Sequence, residues 1–212
     1  MLLLRPLILA LATAALLPGC SAISALSGAA TPLDAYDLTA PADGPQARGR
    51  STSRQLVVEL PTAPGALSND RILIRPRPLQ AAYLPDAKWA EEVPVMLQTL
   101  LVRSLEDTNA FRYVGRRPLG ASGDYALISE LTDFQAEAAP DGKTATIRLR
   151  LTARLVREDD ATVLSSRTFN TSTPVISTDT EDLVEGFNLA NQQLLSETAS
   201  WILATLNIAA KG

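Results

Sequence analysis

The sequence predicts an α+β domain, a mostly antiparallel sheet with two helices packed on one of its faces. Three observations carry that expectation. In the strand expected from Thr144 to Val156, residues 144–155 alternate strictly between apolar and polar side chains, the mark of one buried and one open face. Two segments, about 88–108 and 181–206, carry apolar stripes at helical spacing. Between the strands lie residues that turn the chain back on itself, Pro140-Asp141-Gly142 and Asp159-Asp160. Helices segregated to one side of an antiparallel sheet make a two-layer α+β arrangement.

The first element is a short island, Leu33 to Leu38, whose alternating Tyr36 and Leu38 suit a brief strand and set the start of the folded domain, residues 35–212. Ala40 to Ser53 is rich in Pro, Gly, Ala, Ser and Arg and reads as a low-order insertion. Leu56 to Leu60 and Arg71 to Arg75 are β-rich runs closed by Pro61 and Pro76. A helix is expected from about Lys88 to Thr108. Trp89, Val93, Met96, Leu97, Leu100 and Leu101 form its stripe, and Pro94 predicts a ragged or kinked start.

Phe111 to Val114 follows as a strand, then Tyr125 to Phe134. Tyr125, Leu127 and Leu131 share a phase that Phe134 breaks, which points to a bulge. In the clearest strand, Ala145, Ile147, Leu149, Leu151, Ala153 and Leu155 alternate with a face carrying Arg148, Arg150 and Arg154. Thr162 to Thr171 is its antiparallel mate. The last helix spans about Glu181 to Leu206, with Leu183, Phe187, Ala190, Leu194 and Trp201 inward. Thr178 and Glu181 have capping-box spacing, with Thr180 the alternative cap.

Ahead of the domain, residues 1–19 read as an export signal. Arg5 is the only charge, and Leu7 to Leu17 is almost wholly apolar over about 11 residues where a membrane span needs roughly 20. Leu17-Pro18-Gly19-Cys20 resembles a bacterial lipobox, with cleavage between Gly19 and Cys20 and lipid attached to the Cys20 thiol. One acyl chain anchors only marginally, so stable anchoring takes two or more. Residues 20–34 then form a tether of small residues, at most about 50 Å long when extended. Ser21, where lipoproteins of enteric type carry Asp for inner-membrane retention, implies the outer membrane, facing the periplasm.

Composition narrows the chemistry. The 212 residues include 19 Lys+Arg, 23 Asp+Glu, one Cys and no His, for a net charge of -4. A mildly acidic chain lacks the basic footprint of a nonspecific nucleic-acid binder, so no nucleic-acid partner is expected. Without histidine there is no Ser-His-Asp or Cys-His catalysis and no Cys/His zinc cluster. The expectation is a protein that is not an enzyme, with no cofactor and no metal.

Several blocks in fixed order resemble the ABC-type transport auxiliary lipoproteins, the family that includes paraquat-inducible protein C. They are the lipobox, Tyr36 and Leu38, the strand into Leu60-Pro61, Asn69 to Arg75, Tyr83, then Lys88-Trp89-Ala90-Glu91 opening a helix. A late aliphatic strand, the Phe134 position and a C-terminal helix complete the pattern. Lys88 stands where the family usually has arginine. The resemblance implies a fold similar to the N-terminal domain of the Tol system's B protein. It also implies a docking role at the far end of a lipid transport route. The implied partners are an MCE-domain protein, an inner-membrane permease and a cytoplasmic ATPase, together with the membrane and further copies of the chain in a homo-oligomer.

The residues singled out each carry two readings. Arg148, Arg150 and Arg154 are either a basic patch for lipid phosphates or an acidic partner, or a solvated sheet face. Arg75 and Trp89 are candidate contacts, against a strand-end arginine and a core tryptophan; Trp201 is read in the same way as Trp89. Glu158, Asp159 and Asp160 suit a hairpin turn better than a calcium site. Glu130 and Asp133 lack the nucleophile and pocket that a general acid/base pair needs. A second functional reading, an outer-membrane regulator of a peptidoglycan synthase, needs a longer tether than residues 20–34 supply.

Overall fold

The computed structural model describes residues 32–120 and 122–211, so the expected signal, the Gly19–Cys20 junction and nearly all of the tether lie outside the described residues. From Asp34 onward the chain forms one compact unit. Its elements are β1 (Asp34–Tyr36), β2 (Gln55–Val58), β3 (Arg71–Arg75), β4 (Ala82–Trp89), α1 (Val93–Asp107), β5 (Tyr113–Gly115), β6 (Tyr125–Ala138), β7 (Ala145–Arg157), β8 (Thr162–Val175) and α2 (Thr180–Thr205).

All eight strands join one mixed sheet. The long ladders β6–β7 and β7–β8 are antiparallel, as the turn chemistry predicts. On the other side of β6, β2 and β3 lie in succession along its edge, both parallel to it. β5 runs parallel to β2, β4 is antiparallel to β3, and β1 is parallel to β4. Strict alternation on β7 gives the two faces. Ala145, Ile147, Leu149, Leu151, Ala153 and Leu155 are buried in one continuous core with the stripes of α1 and α2, whereas Arg148, Arg150 and Arg154 are exposed.

The expected bulge is present. Leu131 pairs with Leu151 and Asp133 with Arg150, so Thr132 is an extra residue on β6. That insertion shifts the phase and returns Phe134 to the core, where it is buried. Phe134 stacks on Phe187 of α2 with centroids 5.3 Å apart, and Trp89 meets both rings edge-on at 5.9 and 5.2 Å. These three aromatics fasten β4, β6 and α2 together. Gly186 lets α2 come close, since a Cβ there would stand 2.5 Å from Val175 Cγ2 and 3.0 Å from Ile147 Cγ1.

The structure corrects four local expectations. The helix begins at Val93, not Lys88, and Trp89 ends a strand, its N–H donating to the Asp70 carbonyl at 2.7 Å. Trp89 and Val93 are four residues apart, so a strand residue mimics helical spacing. Pro94 falls in the first turn of α1, where no N–H donor is required.

The capping box at α2 does not form. Asp179 occupies the cap position without a side-chain bond, and the Thr178 hydroxyl donates to the Gly142 carbonyl at 3.3 Å. Glu181 and Asp182 in the first turn still favour the positive end of the helix dipole. Residues 40–53 contain no helix or extended strand, yet they are pinned. Ala47 is buried and donates to Thr108, Arg48 donates to Ala209, and Thr52 donates to Ala110. Finally, β6 and β8 run four residues beyond their expected ends.

Candidate functional site

The face of the sheet away from the helices carries the charged side chains singled out from the sequence. β7 projects Arg148, Arg150 and Arg154 to that side because each alternates with a buried aliphatic residue. The Thr132 bulge places Asp133 opposite Arg150, and the register sets Gln135 opposite Arg148. Arg75, the last residue of β3, pairs with Glu137 across the parallel ladder. Three of the candidates, Arg75, Arg148 and Arg150, thereby surround one acidic row on β6. Arg154 stands apart, opposite Ile128 and Ser166.

Within that cluster the carboxylates are engaged. Arg148 Nε lies 2.6 Å from Glu137 Oε2. Gln135 is almost completely buried, and its Nε2 donates to Asp133 Oδ1 at 3.1 Å and to Glu137 Oε1 at 3.2 Å. Its Oε1 accepts the Phe134 N–H at 3.1 Å. Among the described residues Arg75, Arg77 and Arg150 form no ion pair, so their guanidinium forks are available to an outside oxyanion.

Two shallow depressions follow from this layout. One, of about 390 Å³, is lined by Arg75, Arg77, Leu79, Asp133 and Glu137. Its neighbour, of about 240 Å³, is lined by Asp133, Arg148, Arg150, Asn170 and Ser172. Both present charged side chains of either sign to solvent.

The remaining candidates sort clearly. Trp89 is 0% exposed and belongs to the core, which takes it off every contact surface. Trp201 is also buried, edge-on to Phe169 at 5.7 Å, with its Nε1 donating to Ser165 Oγ at 3.2 Å. Glu130 pairs with Thr152 and Asp133 with Arg150, on either side of the bulge.

Asp160 closes the β7–β8 turn. It accepts the Thr162 N–H at 3.0 Å and meets Arg157 at 3.0 Å, and the Thr162 hydrogen bonds hold its carboxyl below the usual range. Glu158 faces away and accepts from the Gly123 N–H. Among the described residues no His, Cys, Asp and Glu side chains gather in a group able to hold a metal ion. Sequence reasoning missed Arg77 and Leu79, which sit on a loop without periodicity.

The fold is a small α+β layer with helices on one side of the sheet and a charged open face on the other. The family model described as ABC-type transport auxiliary lipoprotein component matches residues 36–199, and the chain belongs to that family. A solved protein from Xanthomonas campestris is 30% identical, with a TM-score of 0.68 over 83% of this chain and 96% of that one. A second solved structure, of an uncharacterized protein, is 19% identical with a TM-score of 0.62, covering 80% and 98% of the two chains, and shares the fold. An uncharacterized protein of Bradyrhizobium diazoefficiens is 29% identical over 171 residues, 78% of this chain and 44% of that protein. The chain thus spans less than half the length of that relative. Membership of a lipoprotein family fits a place in the cell envelope. No described helix is long and apolar enough to cross a membrane.

Proposed function

We propose that this chain is a lipoprotein acylated at Cys20, held at the outer membrane and facing the periplasm. There it serves an MCE-type ABC transport system that moves phospholipids or other apolar molecules between membranes. Its role is to dock and guide, with no chemical step of its own. The observation that carries this reading is the family match over residues 36–199 behind a Leu17-Pro18-Gly19-Cys20 signal.

The open sheet face supports a contact role. Arg75, Arg150 and Arg154 offer guanidinium groups to an acidic partner surface or to lipid phosphates, and Arg148 stands beside them in its pair with Glu137. Such groups steer and orient a partner more than they add affinity. The partner expected is the MCE-domain protein, with its permease and ATPase behind it.

Cross-linking in intact cells, followed by purification of this chain in detergent, should recover an MCE-domain protein. Arg150→Glu with Arg154→Glu should reduce that recovery while leaving the thermal unfolding of the domain close to wild type. Recovery of none from wild-type cells, with the chain intact in the envelope, contradicts the reading.

A further inference from the structure

Three connections meet at the end of the sheet where β3, β6 and β8 finish. They are residues 76–81, 139–144 and 176–179. The register ties them together: Arg75 pairs with Glu137, Ala138 with Ala145, and Ala145 with Val175. Neighbouring strands lie about 4.8 Å apart, so the first and last of these columns stand about 14 Å from each other.

Two bulky aliphatic side chains project from this end. Leu79 is 101% exposed and Ile176 is 91% exposed, while the other exposed large hydrophobics among the described residues range from Tyr83 at 36% to Leu119 at 64%. Leu79 is also held at φ 65°, a left-handed conformation that glycine or asparagine adopts more readily than leucine. Pro76 and Pro78 stiffen the loop around it, and the Gln80 N–H donates to the Arg77 carbonyl at 3.1 Å. The chain thus keeps an apolar side chain where a turn residue would sit with less strain, and presents it outward.

The surroundings fit a lipid surface. Arg75 and Arg77 line one groove together with Leu79, and of the two carboxylates in it Glu137 is paired with Arg148 and Asp133 accepts from Gln135 Nε2. On the helix side of the same end, an apolar notch of about 240 Å³ is lined by Ile74, Pro76, Leu84, Ala138 and Leu183.

The direction of β1 adds a third observation. It runs parallel to β4, with Asp34 beside Ala87, so the chain approaches β1 from the side on which β4 begins, Asp34 lying five residues, roughly 17 Å, along β4 from the Ala82 end. That is the end carrying Leu79 and Ile176. Cys20 is joined to β1 by a tether of at most about 50 Å, longer than the distance from Asp34 back to that end.

We propose that Leu79 and Ile176 seat this end of the domain in the lipid leaflet that carries the anchor, with Arg75 and Arg77 at the level of the phosphates. This rests on the reading that Cys20 is acylated. Apolar side chains on two loops enter the boundary between headgroups and acyl chains, and the arginines behind them meet anionic oxygens.

The test uses the full chain, exported and processed in a bacterial host and reconstituted into phosphatidylethanolamine–phosphatidylglycerol vesicles. Single labelling sites, Leu79→Cys, Ile176→Cys and the opposite-end control Ala161→Cys, carry an environment-sensitive fluorophore. The labels at 79 and 176 should shift to the blue on reconstitution and lose emission when the acyl chains are brominated, while the label at 161 does neither. Adding Leu79→Asp should reduce the shift of the label at 176.

Water-like emission at 79 and 176 in chains that float with the vesicles overturns the seating and leaves the anchor standing. A shift that appears only when a soluble partner protein is added overturns it in favour of protein docking. If the unsubstituted chain fails to float and takes up label at Cys20, the anchor reading fails and the seating fails with it.

Discussion

The two faces of β7 differ in what they do for the molecule. The covered face is a row of six aliphatic side chains packed against α2, in one continuous core that also takes in α1 and the aromatic cluster of Trp89, Phe134 and Phe187. The open face carries arginines, threonines and carboxylates on the neighbouring strand, joined by ion pairs and hydrogen bonds at its surface. Burial makes the first face expensive to alter and the second cheap, because exposed ion pairs contribute little to stability. The difference teaches where to look for function: the face and loop ends that stability leaves free to vary.

The strongest way to break this contrast is at Trp89. Trp89→Ala removes a fully buried ring packed edge-on against Phe134 and Phe187, and should destabilise the domain by about 3–5 kcal/mol. Denaturant unfolding reads it, and a loss similar to that of a surface substitution would place the core elsewhere.

Gly186→Ala is the next largest. Alanine in a helix interior normally gains about 0.5–1 kcal/mol over glycine. Here the added Cβ meets Val175 Cγ2 at 2.5 Å, so a net loss of about 1–3 kcal/mol is expected in the same unfolding measurement.

Leu79→Gly sharpens the comparison from the open side, because stability and contact should move in opposite directions. Relief of the φ 65° conformation should raise stability by about 1 kcal/mol, while the lipid seating weakens. Calorimetry and vesicle quenching read the two effects separately.

The smallest effect concerns Asp70. The hydrogen bond from Lys88, at 2.9 Å, holds its carboxyl below the ordinary value. A depressed folded value means that the pair contributes above the unfolded carboxylate value, near pH 4, and that the contribution is lost as pH falls through the folded value. Asp70→Asn should therefore cost under about 1 kcal/mol at neutral pH and nothing in strong acid, since both side chains are more than a third exposed. Unfolding midpoints compared across acid pH provide the check.

Much of this fold is legible in the sequence where periodicity is local. The alternation of 145–155 names the covered and open faces of β7 directly, and the phase break before Phe134 reveals the Thr132 bulge. β4 is hidden because Pro85 and Asp86 interrupt its alternation, and because Trp89 and Val93 share helical spacing by coincidence. The parallel placement of β2 and β3 along β6 leaves no local trace, since the partners are distant in sequence and only the folded core selects the pairing.

The site is legible in part. Arg148 and Arg150 are found by strand phase, but their proximity to Arg75 needs the sheet order, and Leu79 looks like an ordinary loop residue until its exposure and backbone angle are known. Residues 40–53 show the reverse case. Their composition suggests slack chain, yet backbone hydrogen bonds to the segments that follow both helices fix them.

The central claim is that fatty acyl chains on Cys20 hold this module at a membrane. Intact mass spectrometry of the chain purified from bacterial envelopes tests it most directly. The account predicts a polypeptide beginning at Cys20 with the added mass of a diacylglyceryl group and an amide-linked acyl chain. A chain beginning elsewhere, or one whose Cys20 carries an unmodified thiol, would contradict it.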